Sequence, residues 1–204
     1  MDSSCISIMA RIIKNFFLTL RTKGIIALIL GIKNYIKIVV DKKFFPSSFI
    51  KKKIFNYEMY LDPKDKGISR TLILFGHREL DHKKILELVL KKNMKIFDIG
   101  ANIGYYAIME SRLIGESGFI YALEPAPSNV NLLKNNIKLN NIDNVIEVHQ
   151  MGGSNKTGIE KLFFSEKSNL HSLIEDKNSN GEMINIPTTT IPDFCKGRRK
   201  IDFI

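Results

Sequence analysis

Two acids and two glycines in the middle of the chain carry the chemistry that its residues spell out. Asp98 stands just before the turn Gly100-Ala101-Asn102-Ile103-Gly104, and Glu124 follows Gly104 by 20 residues. Glycines at 100 and 104 let the backbone turn sharply and approach a bound molecule closely. A carboxylate in the place of Glu124 has two oxygens for the two hydroxyls of a ribose. The elements that must position these groups are legible around them. Ile96, Phe97 and Ile99 mark a short apolar strand that delivers Asp98 to its C-terminal end, and a helical pattern starts directly after the turn. A second apolar strand, Phe119-Ile120-Tyr121-Ala122-Leu123, ends in Glu124-Pro125. Strand, glycine turn, helix, strand and acid form the layout of a nucleotide-binding βαβ unit.

The spacing selects among nucleotides. A dinucleotide site has the pattern G-x-G-x-x-G and sets a helix N-terminus against a pyrophosphate. Here Asn102 stands where the second glycine belongs, and Asp98 would repel a pyrophosphate. No G-K-[ST] follows the turn, which excludes a P-loop. An acid in front of the turn suits a cationic, phosphate-free ligand, which points to S-adenosylmethionine. Asp98 would face its ammonium, directly or through water; alternatively the acid only caps the following helix. Asn102 either orients the turn or donates to the cofactor carboxylate. Tyr105 and Tyr106 flank the cofactor or belong to the core. The expected cofactor-binding set is Asp98, Gly100, Ala101, Asn102, Gly104 and Glu124.

The stretch Phe97-Asp98-Ile99-Gly100-Ala101-Asn102-Ile103-Gly104-Tyr105-Tyr106 resembles the first motif of the FkbM family of S-adenosylmethionine-dependent methyltransferases. Tyr121-Ala122-Leu123-Glu124-Pro125 resembles the second motif, and Asn136-Ile137-Lys138-Leu139-Asn140 a helix end of that family. Asp65-Lys66-Gly67-Ile68-Ser69 with Gly76, and Thr188 to Phe194 followed by Ile201-Asp202-Phe203-Ile204, resemble further segments in the same order. The resemblance implies an α/β, Rossmann-like class I methyltransferase fold with a mostly parallel sheet. It implies O-methylation of a sugar or small-molecule hydroxyl, with a small-molecule or saccharide acceptor as partner. Family members continue after the "i-D-f-i" run with a Lys-x-Asp-x-Glu-Gly segment, so the fold is expected to be incomplete at the C-terminus. An inactive fragment with at most cofactor binding is the first alternative. An RNA methyltransferase is the second, but no N/D-P-P-[YF] motif is present. Methyl transfer to a hydroxyl calls for a base. None is singled out; His149 and His171 are candidates by side-chain chemistry alone.

The net charge of +10 is uneven. Residues 1–60 hold eleven Lys/Arg against three Asp/Glu, and the rest hold twenty against eighteen. The near-neutral remainder argues against a nucleic-acid partner. Residues 1–57 are expected to form a basic amphipathic helical N-terminal extension, and residues 58–204 the N-terminal portion of the methyltransferase domain. No apolar run in the extension reaches the roughly 20 residues that a spanning helix needs. Residues 1–40 either cap the domain or lie on an anionic membrane surface, so the expected location is the cytoplasm, including the inner membrane face. Cys5 and Cys195 match no metal or redox spacing, and the four histidines form no ligand pair.

Periodicity predicts short strands and turns over 56–80, then a helix over 79–92. It predicts strands at 94–99, 118–123 and 145–149 with helices at 103–113 and 128–139 between them, Ser128 being the N-cap. Further strands are expected near 159–164, 183–188 and 200–204. Alternating strands and helices mean a parallel sheet with its ligand at the strand C-termini.

Overall fold

In the computed structural model, residues 49–204 and twelve helical positions between Leu18 and Ile36 are described. The part of the expected helical extension that precedes residue 49 lies largely outside the described residues. From Ile50 onward the chain is strand: β1 (Ile50–Ile54) pairs antiparallel with β2 (Tyr57–Leu61) around Phe55-Asn56. The helical character expected up to residue 57 therefore fails over this hairpin. Tyr57, Met59 and Leu61 alternate inward and are buried, which is the period of a strand and not of a helix.

The central sheet is β3 (Lys95–Ile99), β4 (Phe119–Leu123) and β5 (Ile146–His149), in that order and all parallel. Phe203 pairs parallel with Ile96 on the free side of β3, and the Phe97 amide donates to the Phe203 carbonyl at 2.9 Å. The chain after β3 thus adds strands on one side of it, and the 201–204 segment comes back on the other. This reversal opens a crevice at the C-terminal end of β3, the usual ligand position in such sheets.

Both faces of the sheet are covered, which is why its strands read as continuous apolar runs. One face carries Ile96, Ile120 and Ala122 and packs into the main core; the other carries Phe97, Tyr121 and Leu123. Asp98 shares the parity of Ile96 and so belongs to the main-core face. On the opposite face Phe97 stacks on Phe194, with centroids 4.5 Å apart, from the short helix α5 (Ile191–Cys195). Thr190 caps that helix by accepting from the Asp193 amide at 3.1 Å.

Four more helices complete the layers: α1 (Ile68–Phe75), α2 (Leu80–Val89), α3 (Tyr105–Ile114) and α4 (Pro127–Leu139). α1 was not expected within 56–80; at eight residues it is too short for periodicity to separate from an apolar run, and Ile68, Leu72 and Ile73 bury one face of it. Ser128 is not the cap of α4. Ala126 holds that position without a side-chain bond, and Pro127 starts the helix with its φ already set. A second sheet, ordered β6 (Gly152–Gly153), β8 (Ser179–Thr189), β7 (Gly158–Ser165), follows the first.

The hairpin meets α4 through two asparagines one turn apart. Asn136 Oδ1 accepts from the Tyr60 amide at 2.7 Å while its Nδ2 donates to the Tyr60 carbonyl at 3.2 Å. Asn140 does the same for Glu58, at 3.3 and 2.7 Å. Residues 58 and 60 point their backbone groups the same way, and residues 136 and 140 share a helix face. The pair thus substitutes for a neighbouring strand. Asn136 Nδ2 also donates to the Ile103 carbonyl at 2.9 Å, which ties the glycine turn to the same helix.

Candidate functional site

The turn between β3 and α3 is built by two left-handed glycines and one left-handed asparagine. Gly100 has φ +84, Asn102 +51 and Gly104 +90. The amides of Gly100 and Ala101 both donate to the Leu123 carbonyl, at 2.8 and 2.9 Å, so the turn hangs on the end of β4. An added Cβ on Gly100 would meet nothing within 4 Å; its missing side chain leaves open space for a ligand. Gly104 has the other purpose. A Cβ there would lie 2.6 Å from Leu133 Cδ1 of α4. Gly104→Ala should therefore lower stability by roughly 2–4 kcal/mol, through the left-handed backbone and the overpacked contact together. Urea unfolding measures it.

Glu124, only 4% exposed, anchors the turn. Its Oε2 accepts from the Asn102 amide at 2.8 Å, and its Oε1 from the Ala126 amide at 2.9 Å and Asn129 Nδ2 at 3.2 Å. A carboxylate oxygen has two lone pairs, so Oε1 is filled and Oε2 retains one place. The expectation of two free oxygens for a ribose diol is thus replaced by one acceptor site on a structural carboxylate. Burial pushes its pKa up, opposed by the bonds from Ala126, Asn129 and Asn102.

Asn102 orients the turn. Its Oδ1 accepts from the Ile103 amide at 2.8 Å and its Nδ2 donates one hydrogen to the Ser168 carbonyl at 2.9 Å, which leaves a second donor on that nitrogen. The left-handed backbone is one that asparagine tolerates. Ser168 opens a 3-10 turn (Ser168–Leu170) that reaches over from β7. Its amide and hydroxyl donate to the two oxygens of Asp65, at 2.9 and 3.0 Å. The Gly67 amide gives 2.7 Å to Oδ1 and the Ser69 amide 2.8 Å to Oδ2. Asp65, Ser168, Asn102, Glu124 and Asn129 form one continuous network. A Cβ on Gly67 would lie 2.4 Å from Asn169 Oδ1, which explains the glycine in that segment.

A cavity of about 220 Å³ opens over the turn, lined by Gly100, Ala101, Asn102, Glu124, Tyr105 and Tyr106 among others. Asp98 and Gly104 are not on its wall. Asp98 is half-buried at the end of β3, and its Oδ2 is sealed with no hydrogen-bond partner among the described residues. Burial, then Glu124, pushes the Asp98 carboxyl up to about 7. A third acid, Glu110 of α3, is 5% exposed and also has an unpartnered oxygen. Burial, then the charge of Asp98, raises its pKa well above the carboxylate range. With their pKa values raised, these acids hold protons when nothing offsets their charge, and a cation bound beside them would favour their ionised forms.

The two tyrosines differ. Tyr105 is a core residue whose hydroxyl donates to the Arg78 carbonyl at 2.6 Å and accepts from the Arg78 amide at 3.1 Å. Tyr106 is half-buried and donates to Glu79 while lying 3.0 Å from His82 Nδ1. Arg78 and Glu79 also line the cavity. Sequence reading missed them, together with Ser168, Asn169 and Glu110, because nothing in residue type or spacing marks a loop or mid-helix acid that the fold later brings inward. His149 packs edge-on against Phe194, with centroids 5.0 Å apart, on the far face of the sheet, and lines neither this cavity nor the larger one beside it. No group of three or more His, Cys, Asp or Glu suited to a metal occurs among the described residues.

The sequence profile described as "Methyltransferase FkbM domain" matches residues 98–204, more than half of the chain. The chain belongs to the FkbM methyltransferase family. This family uses S-adenosylmethionine, and the FkbM domain here has the Rossmann-like class I fold, with a parallel central sheet. Other similarities are partial. A protein-L-isoaspartate O-methyltransferase of Fervidobacterium nodosum is 32% identical over 105 residues, 48% of this chain and 51% of that protein. Its counterpart in Methanococcoides burtonii is 37% identical over 65 residues, 32% of each chain. The FkbM chain thus spans at most about half the length of these curated relatives. Among solved structures, P. horikoshii TYW2 in complex with MeSAdo shares 17% identity over 52% of this chain and 36% of that one, with a TM-score of 0.42. A SAM-dependent O-methyltransferase from Thermotoga maritima shares 18% over 37% and 31%, with a TM-score of 0.34.

Proposed function

We propose that the FkbM domain binds S-adenosylmethionine over the glycine turn and directs its methyl group to a hydroxyl oxygen of a saccharide or other small molecule. One observation carries the cofactor half: the sealed, unpartnered Asp98 Oδ2 beneath an open turn, with Glu124 beside it. The residues fit the group. Gly100 leaves room, Oε2 of Glu124 retains one acceptor place for a ribose hydroxyl, and the buried acids favour an ammonium and a sulfonium. When bound, S-adenosylmethionine supplies a methyl group on a positively charged sulfur. The chain's own part is to hold the reactants in line and to exclude water, the main protein contribution to such a displacement.

The acceptor class is tested by following tritiated methyl transfer into a bacterial saccharide extract, an isoaspartyl peptide and an RNA transcript. The expected label is in the saccharide and survives mild alkali, as a methyl ether does. Alkali-labile label would identify a carboxylate acceptor, and label in RNA would identify a base or ribose acceptor; either overturns the hydroxyl reading.

The same proposal includes peripheral contact of residues 1–40 with an anionic membrane. Ile25, Ile26, Ile29 and Ile36 are exposed, in a region where basic residues predominate. No helix among the described residues is long and apolar enough to cross a membrane. The full chain should float with phosphatidylglycerol vesicles at low salt and stay with phosphatidylcholine vesicles at the bottom of the gradient. Failure to float with either removes the membrane contact.

A further inference from the structure

A second, larger cavity of about 540 Å³ lies on the other side of the Ser168 turn, within the roughly 300–1,000 Å³ typical of small-molecule sites. Ser168 and His171 line both cavities, so the two adjoin there. The chemistry of the larger one is uneven. Among the described residues its lining has four acids, Asp62, Asp65, Glu166 and Glu182, and one cation, Lys64; Glu166 is paired with Lys66 at 2.7 Å and Asp65 is filled by four donors, which leaves Asp62 and Glu182 as the acids with open oxygens. Amides and hydroxyls from Asn129, Asn131, Asn180, Ser128 and Ser165 supply most of the remaining polar surface, and Phe49 and Phe164 supply aromatic surface. Amides beside an aromatic ring match a molecule with many hydroxyls and one apolar face. The excess of carboxylates opposes a phosphate or a carboxylate on that molecule, since like charges in a partly enclosed site repel.

His171 has a defined part at this boundary. Its Nδ1 accepts from the Ser165 amide at 3.0 Å. Nδ1 therefore carries no proton, and in the neutral ring the proton is on Nε2. Burial, opposed by Asp65, holds the pKa below its ordinary value, so the ring is neutral at pH 7. A neutral imidazole with a proton on Nε2 and a donor on Nδ1 has no lone pair free to accept a hydroxyl proton. His171 is a donor, not the base that its side-chain type suggested.

We infer that the larger cavity is the acceptor site, that it selects a neutral or amine-bearing saccharide against an anionic one, and that His171 positions that acceptor by donating from Nε2. The inference rests on the methyltransferase reading above and adds to it where the acceptor binds and which acceptors are refused.

The test uses the full chain saturated with S-adenosylhomocysteine and saturation-transfer difference NMR with three probes: methyl α-glucopyranoside, its 2-amino analogue and the corresponding methyl glucuronide. The neutral and amino probes should bind at least tenfold more tightly than the glucuronide. Glu182→Lys, at an exposed position, should bring the glucuronide within about threefold of the neutral probe. His171→Asn keeps an acceptor near the place of Nδ1 but loses the Nε2 donor, and should weaken the neutral probe at least fivefold. His171→Gln restores a donor there and should recover most of that loss. Equal binding of all three probes, saturable binding of none, or equal loss in both His171 variants overturns the inference. Binding of S-adenosylhomocysteine is read by calorimetry on the same samples. If it binds while the probes do not, the acceptor assignment alone falls; if it does not bind, the methyltransferase reading falls with it.

Discussion

Asp98→Asn should weaken S-adenosylmethionine binding tenfold or more at pH 8 and, at the same pH, make the protein more stable. The two effects have one cause. Removing a charge-assisted interaction costs roughly 1.5–3 kcal/mol of binding, which is at least a tenfold loss. Without the ligand, however, the same half-buried carboxylate stands beside Glu124 and Glu110 with one sealed, unpartnered oxygen. The pH dependence follows from the sign of its shift. The unfolded chain releases the Asp98 proton near pH 4, whereas the folded protein keeps it to about 7. Between those values the folded state binds more protons, so stability falls as pH rises, and the penalty is complete above about 7. Thermal unfolding should show the variant well above the parent at pH 8, with the gap closing as pH falls toward 4. A constant gap would mean that Asp98 does not titrate in this window. Cofactor affinity should run the other way. A proton on Asp98 competes with the ammonium, so affinity should drop by up to about tenfold per unit below pH 7.

Asn136→Ala should be the most damaging single change to stability outside the glycine turn, at roughly 3–4 kcal/mol. The side chain is fully buried and makes three bonds, two to Tyr60 and one to Ile103. Truncation leaves the Tyr60 amide and two carbonyls without partners inside the protein, each a penalty of roughly 1–3 kcal/mol before relaxation. Asn136→Asp should fare no better, because it loses the donor and buries a charge. Urea unfolding gives the magnitude. Since Asn136 holds the Ile103 carbonyl, the variant should also bind the cofactor more weakly when still folded. A cost below about 1 kcal/mol would show that the hairpin does not depend on the asparagine pair.

The parts legible in the sequence share one property: their physics is local. Glycines at 100 and 104, an acid at each strand end and uninterrupted apolar runs define the βαβ unit within thirty residues. Asn136 and Asn140 were visible as a pattern, but their purpose was not, because it lies in a hairpin more than seventy residues earlier. The same distance hid the Asp65–Ser168 link, which spans 103 residues. Glu124 was placed correctly at the end of β4, yet its bonds to Asn102 and Ala126 were not foreseen, because amides left over by a tight turn have no signature in residue type. Helix α1 and the Pro127 start of α4 were missed for a smaller reason. Short elements are decided by the surface they bury, not by their own periodicity.

The central claim is that the turn from Gly100 to Gly104, over Asp98, is a cofactor site. Calorimetric titration of S-adenosylmethionine into the 204-residue chain and into Asp98→Asn, side by side at pH 8, tests it most directly. Saturable one-to-one binding by the parent and at least tenfold weaker binding by the variant is the predicted result. Equal affinity in both, or no binding by a folded parent, would contradict it.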